Sequence, residues 1–164
     1  MNVACDVIVD EPSWSQKFDP ELLVDVVVRK VVATVNPDLH PQAEVCFSFS
    51  NDKRVQELNA LWRSKDTPTN VLSFPASNGD DLRASPLLGD VIMAYETIDR
   101  EAGEEGKLLV NHAAHMVVHG MLHLIGYDHE SDQEAQEMEN LESRILMDLG
   151  YPDPWSGVNE KKEV

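Results

Sequence analysis

The stretch Leu108-Leu-Val-Asn-His-Ala-Ala-His-Met-Val-Val-His119-Gly-Met-Leu-His123-Leu-Ile-Gly126-Tyr-Asp128-His129 decides how the rest of the chain is read. Val110, Ala113, Ala114, Val117, Val118, Met121 and Leu122 cover most faces of a helix at 3.6 residues per turn. The pattern predicts a helix over 108–125 that is buried nearly all round and therefore central to its domain. His119 and His123 are four apart, one turn along a single face. Gly126 then offers a stop, because glycine enters the left-handed conformation that ends helices at little cost. The chain turns, and His129 can come back towards the same point. Three converging imidazoles with a fourth position open are the ligand count of a catalytic zinc site, since structural sites are normally closed by four protein ligands. One zinc ion per chain on His119, His123 and His129 is expected, with nickel possible in preparations. A helix this deeply embedded would hold the ligands in fixed geometry.

The spacing also matches the long metalloprotease motif His-Glu-x-x-His-x-x-Gly-x-x-His, with one departure. Gly120 stands where the protease has its glutamate, the general base that activates water. The metal scaffold is present and the peptidase base is missing, so peptide hydrolysis is disfavoured.

Working outward, short β-rich and amphipathic segments alternate. Residues 3–9 read as a strand. Asp19-Pro20 opens a helix over 20–35, which ends before Asn36-Pro37. Val45, Phe47 and Phe49 alternate with Cys46 and Ser48 in a half-buried strand over 44–50. A helix is expected over 52–63, a strand over 70–74, a loop over 77–81 and a strand over 88–94. Helices follow over 95–104 and 108–125. Ser131, with Glu134 three residues later, opens a last helix that runs to about residue 149 and stops at Gly150. The fold class expected is α+β: a single domain over 1–154 with about four strands in a mixed sheet and about five helices. Residues 155–164 read as a polar, frayed tail.

At 164 residues the chain suffices for one core, and 42% hydrophobic with 26% charged residues is a soluble globular composition. No apolar run is long enough to span a bilayer, and no basic-then-apolar N-terminus suggests secretion. Cys5 and Cys46 are too few for a disulfide framework, which fits a reducing cytoplasm. The net charge of −17 argues against tight binding of free polyanions. The charge is uneven, however. Residues 51–75 carry three acids and four bases, and residues 107–127 carry Lys107 alone. These segments hold Arg63 and the first two histidines, so a neutral-to-positive cleft on an acidic body is expected.

Beyond the histidines, several motifs match one family. Leu58-Asn59, Arg63, the stretch Thr67-Pro-Thr-Asn-Val-Leu-Ser-Phe-Pro75, Leu88-Gly-Asp90-Val-Ile, Glu137-Met-Glu139 and Leu149-Gly-Tyr-Pro-Asp-Pro154 stand at their expected places. With His119 to His129, they resemble the YbeY endoribonucleases, metal-dependent enzymes of ribosomal RNA maturation, over most of 45–155. Asn70 departs from the aspartate common in that family. The resemblance implies a single-strand-specific endoribonuclease acting in ribosomal RNA maturation and ribosome quality control. Its partners would be single-stranded or ribosomal RNA and proteins of the small ribosomal subunit, with no DNA and no membrane.

Taken alone, one arginine near a helix end is a solvated side chain or half of an ion pair. The resemblance makes Arg63 a phosphate-binding catalytic residue beside His119, His123 and His129, a role that suits the forked guanidinium. Lys65 is a weaker substrate-binding candidate, and Arg54 weaker still. His112 lies on the histidine stripe but about 10 Å along the axis from His119, too far to share an ion. It either contacts substrate or is a buried histidine. His115 reads as packing or as a support to the ligands, and His40 as a loop residue. Asp90 and Asp128 could each receive a ligand imidazole N–H, and Asp128 could equally cap its turn. The general base is open: water activated by the ion, the RNA 2′-OH, or an unidentified carboxylate. Two other readings stand beside the nuclease: a metalloprotease-like hydrolase with another base, and a non-catalytic ribosome assembly factor with a structural metal.

Overall fold

The structure is a computed structural model and describes residues 2–77 and 81–156. Strands β1 (Ala4–Val9), β2 (Glu44–Ser50), β3 (Val71–Pro75) and β4 (Leu87–Ala94) form one sheet in the order β1-β2-β4-β3. β1, β2 and β4 run parallel, and β3 returns antiparallel along the edge of β4. The helices are α1 (Pro20–Val35), α2 (Asp52–Arg63), α3 (Tyr95–Glu104), α4 (Leu109–Leu124) and α5 (Asp132–Asp148). The expected α+β domain with a mixed four-stranded sheet and five helices is therefore what forms, with element ends displaced by a residue or so.

Local chemistry explains the boundaries. The Asp19 carboxylate accepts from Leu22 N at the start of α1, with Pro20 in the first turn. Asn51 caps α2 through Arg54 N, and Ser131 caps α5 through Glu134 N. In β2 the alternation is realised: Val45, Phe47 and Phe49 are buried, while Cys46 and Ser48 on the opposite side are half-buried. Cys5 is registered beside Val45, so Cys5 and Cys46 sit on opposite faces as free thiols. Burial, helped by Asp25, pushes the Cys5 thiol up to about 11.

The main core lies on one face of the sheet. Val24, Val27, Val28 and Val31 of α1 meet Phe47, Phe49, Val91 and Met93 of the strands and Ala113, Val117 and Met121 of α4. A smaller cluster on the other face packs Val55 of α2 against Leu72 and Ala94. Eleven of the sixteen residues of α4 are buried, which makes it the central helix its composition predicts. Truncating one of its fully buried side chains, such as Met121, should cost about 2–5 kcal/mol.

Gly120 shows how tightly α4 is seated. A Cβ there would lie 2.6 Å from Val91 Cγ1 on β4. Position 120 thus points into the sheet, and the glutamate of the protease motif has no room there. Three further features went unread in the sequence or lie outside the described residues. A 3₁₀ turn, Pro12–Gln16, seats the fully buried Trp14, whose Nε1 donates to Ser50 O at 2.8 Å. Trp155, placed by the sequence reading in the polar tail, is instead half-buried against His115. The rest of the expected tail, 157–164, and residues 78–80 of the expected loop fall outside the described residues.

Candidate active site

Helix α4 ends in a way that returns the chain to its own last turn. Gly126 has φ 107°, a conformation glycine adopts without steric cost. Tyr127 N donates to Leu122 O at 3.0 Å and Gly126 N to His123 O at 3.2 Å, the paired bonds of a Schellman cap. Asp128 Oδ1 then accepts from His129 N at 2.8 Å and holds the turn. The outcome is the convergence expected from the spacing: ligand atoms of His119, His123 and His129 all lie within 4.8 Å of one another.

What touches the far side of each ring fixes which nitrogen faces inward. His119 Nδ1 is 2.7 Å from Glu142 Oε2, and His123 Nδ1 is 3.0 Å from Tyr127 O. A carboxylate and a carbonyl only accept, so both Nδ1 atoms carry the proton. Both Nε2 lone pairs therefore turn to the common point, where the two atoms are 3.1 Å apart. Two lone pairs face to face call for a cation between them, and neutral imidazoles with tethered Nδ1–H groups suit a metal ion. Burial, reinforced by His119 and His129, holds His123 below the usual imidazole range, which favours that neutral form.

Glu142 is the residue the sequence reading missed. It comes from α5 and is 1% exposed. Burial alone would raise its pKa, but hydrogen bonds from His115 and His119 prevail and bring it to about 2. His115 Nε2 lies 3.1 Å from Oε1, and Trp155 Nε1 donates to the same oxygen at 3.2 Å. A buried carboxylate with three N–H donors is a satisfied charge. The sequence does contain a signal. Met138, Glu142, Ile145 and Leu149 follow helical spacing, so Glu142 is an acid at a core position.

The histidines open onto a cleft of about 600 Å³. Its opposite wall is β3 with the residues before it, Thr69 to Ser73 and Pro75. Arg63 stands at the end of α2, donates through Nη2 to Ser73 O at 2.8 Å, and lies 5.4 Å from the centroid of the Phe74 ring. The carbonyl and the ring orient the guanidinium, and among the described residues its other N–H donors have no hydrogen-bond partner. Among the described lining residues the formal charges are those of Arg63 and Asp128, which offset each other, in a chain of net charge −17.

The structure thus gathers Arg63, His119, His123, His129 and Asp128 into one cleft. It does not bring Lys65 or His112 there. Lys65 is exposed beyond the end of α2, and His112 is buried with Nε2 2.9 Å from Glu101 Oε1. His115 shares Glu142 with His119, one on each carboxylate oxygen. Arg54 pairs with Glu57, and His40 Nδ1 accepts from Gln42 N in its loop. Asp90 is exposed on β4, registered opposite Cys46 and Phe74, and does not line the cleft. Of the two roles open to Asp128, it takes the turn cap. Asn70 lines the cleft but turns its Nδ2 to Glu101 at 3.1 Å.

Comparison with known proteins gives concordant results. The family described as Endoribonuclease YbeY matches residues 10–150. A protein of Methylocella silvestris named endoribonuclease YbeY is 41% identical over 155 residues, covering 94% of this chain and 87% of that one. One of Bradyrhizobium sp. (strain BTAi1) with the same name is 46% identical over 159 residues, covering 92% and 91%. The solution structure of TM1509 from Thermotoga maritima aligns with a TM-score of 0.57 at 23% identity, over 88% of this chain and 91% of that one, and so shares the fold.

Proposed function

The chain belongs to the endoribonuclease YbeY family, and on that premise we propose that it hydrolyses phosphodiester bonds of single-stranded RNA in the three-histidine cleft. The observation that carries this reading is the placement of an oriented arginine and three inward-facing imidazoles in one cleft. His119, His123 and His129 would hold one zinc ion, or nickel in some preparations. Bound there, zinc supplies Lewis acidity and activates water.

The chain's own groups do the rest. The Arg63 guanidinium grips phosphate oxygens through its free N–H donors and stabilises negative charge as the phosphate is attacked. Ser73 O and Phe74 fix it beforehand, so little reorganisation is needed at that moment. Glu142 and the Tyr127 carbonyl keep the imidazoles turned inward. His112 is buried and tied to Glu101, which favours the buried-histidine reading over a substrate contact. Position 120 faces Val91 and leaves no room for the glutamate of the peptidase motif, which disfavours proteolysis.

The same reading places the activity in ribosomal RNA maturation in the cytoplasm. A chain of charge −17 with a near-neutral cleft binds free RNA weakly, so proteins of the small ribosomal subunit are the fitting means of delivering substrate.

The test is Arg63→Glu. It should abolish chelator-sensitive cleavage of single-stranded RNA while metal content and fold are retained. Arg63→Ala should lose about 100- to 1,000-fold in rate, and Arg63→Lys should recover only part. Normal cleavage by Arg63→Glu with its metal in place would show that phosphate binds elsewhere. Equal cleavage by every variant, His119→Ala included, would mark the activity as a contaminant and favour the assembly-factor reading.

A further inference from the structure

Beyond α5 the chain forms a strap. Tyr151 N donates to Leu146 O at 2.9 Å, and Ser143 Oγ donates to Asp153 Oδ1 at 2.7 Å. Trp155 N donates to the same Asp153 oxygen at 3.0 Å, and Lys107 Nζ donates to Pro154 O at 3.0 Å. These bonds tie residues 151–155 to α5 and to the approach to α4. They deliver the Trp155 indole edge-on to His115, with ring centroids 5.4 Å apart at 83°. The indole N–H then reaches Glu142 Oε1 at 3.2 Å, on the far side of the carboxylate from His119.

We propose that Trp155 is a positioning residue for the metal centre: it fixes the Glu142 carboxylate so that Oε2 stays aimed at His119, and thereby sets how tightly the three histidines hold their ion. The inference rests on the reading of those histidines as metal ligands. A carboxylate rotates easily about its last bond unless both oxygens are held. Here Oε2 is held by His119, and Oε1 by His115 and Trp155 together. Without the indole N–H, Oε1 keeps one donor, and the buried carboxylate turns or admits water to regain another. Either change loosens the ring that presents Nε2. The indole ring also packs edge-on against His115, the other donor to Oε1.

The discriminating substitution is Trp155→Phe, which keeps an aromatic ring against His115 and deletes only the donor. Zinc affinity is measured by competition with a chromophoric chelator, well below the unfolding temperature. Trp155→Phe should bind zinc about 3- to 10-fold more weakly than the wild type, a step below the usual loss from removing a ligand's direct partner. A second measurement uses the unaltered chain. In ¹⁵N-labelled protein, zinc should shift the indole N–H resonance of Trp155 and leave that of Trp14, bonded to Ser50 O, in place. Unchanged zinc affinity in Trp155→Phe overturns the proposal even if its stability falls, because a merely structural tryptophan would behave that way. If that variant does not fold, a Trp155 resonance unmoved by zinc overturns it equally. A wild type that binds no zinc overturns the metal reading itself, and this inference with it.

Discussion

Helix α4 carries four histidines and holds them in two opposite ways. In its first half, Nε2 of His112 is tied to Glu101 and Nε2 of His115 to Glu142, while both Nδ1 atoms are buried without a partner among the described residues. In its last turns, Nδ1 is the tied atom, on Glu142 for His119 and on the Tyr127 carbonyl for His123, and Nε2 faces the cleft. One residue type on one helix therefore either packs internally or presents a ring nitrogen to the cleft, depending on which nitrogen is anchored. Glu142 joins the two regimes, since one of its oxygens serves each half.

The sharpest way to break this contrast is to remove a histidine from the second group. His123→Ala should weaken zinc binding more than about 100-fold, beyond the range of changes to a ligand's partner, and abolish RNA cleavage. If His115→Ala lost as much by the same chelator competition, the contrast would fail. Next in size is Glu142→Gln, which turns an amide N–H towards one of the imidazole donors. Zinc affinity should fall about 10- to 100-fold with the helical circular dichroism retained.

A smaller effect concerns acid. The Glu142 carboxylate titrates near 2 in the folded protein rather than near 4.5, because the His115 and His119 bonds outweigh its burial. A depressed acid contributes stability that is complete above the unfolded pKa and is lost as pH falls from about 4.5 towards 2. Urea unfolding of metal-free protein between pH 6 and pH 3 should show stability declining in that window, and Glu142→Gln should flatten the decline. An identical slope in the variant would assign the acid sensitivity to other carboxylates. The smallest change is expected for His112→Asn. It removes a hydrogen bond that holds Glu101 below the usual carboxylate range, and should cost about 1–3 kcal/mol of stability. Zinc affinity should stay within about twofold, since His112 lies outside the ligand group and its partners.

Much of this site was legible before any coordinates. The 119–123–129 spacing marked the three histidines that converge because helix pitch and a glycine stop are local matters, and α4 was legible as the central helix because its apolar residues surround it. The sheet was readable from period-two alternation in β2 and from turn residues between segments. What escaped are contacts between distant segments. Glu142 lies 23 residues beyond His119, and only its odd place on an apolar stripe marks it. Helical angles put all four histidines of α4 on one stripe, but they say nothing about which ring nitrogen is anchored, because that depends on α3 and α5. The histidine stripe leaves His112 open as a substrate contact or a buried histidine, and Lys65 is a weaker candidate near Arg63; in the fold His112 is buried against Glu101 and Lys65 is exposed beyond α2.

The turn that closes α4 has a consequence for how this segment can vary. His123 is anchored by the backbone carbonyl of residue 127, not by its side chain, and His129 is carried in by the same reversal. At position 127 the segment therefore works as a ruler whose length matters more than its lettering. Exchanging the Tyr127 side chain would leave the anchoring oxygen where it is. Adding or deleting one residue between Gly126 and Tyr127 would move the oxygen off one ring, and a change of length anywhere from there to His129 would withdraw the other. Tolerance to substitution and intolerance to insertion should thus coexist within three positions.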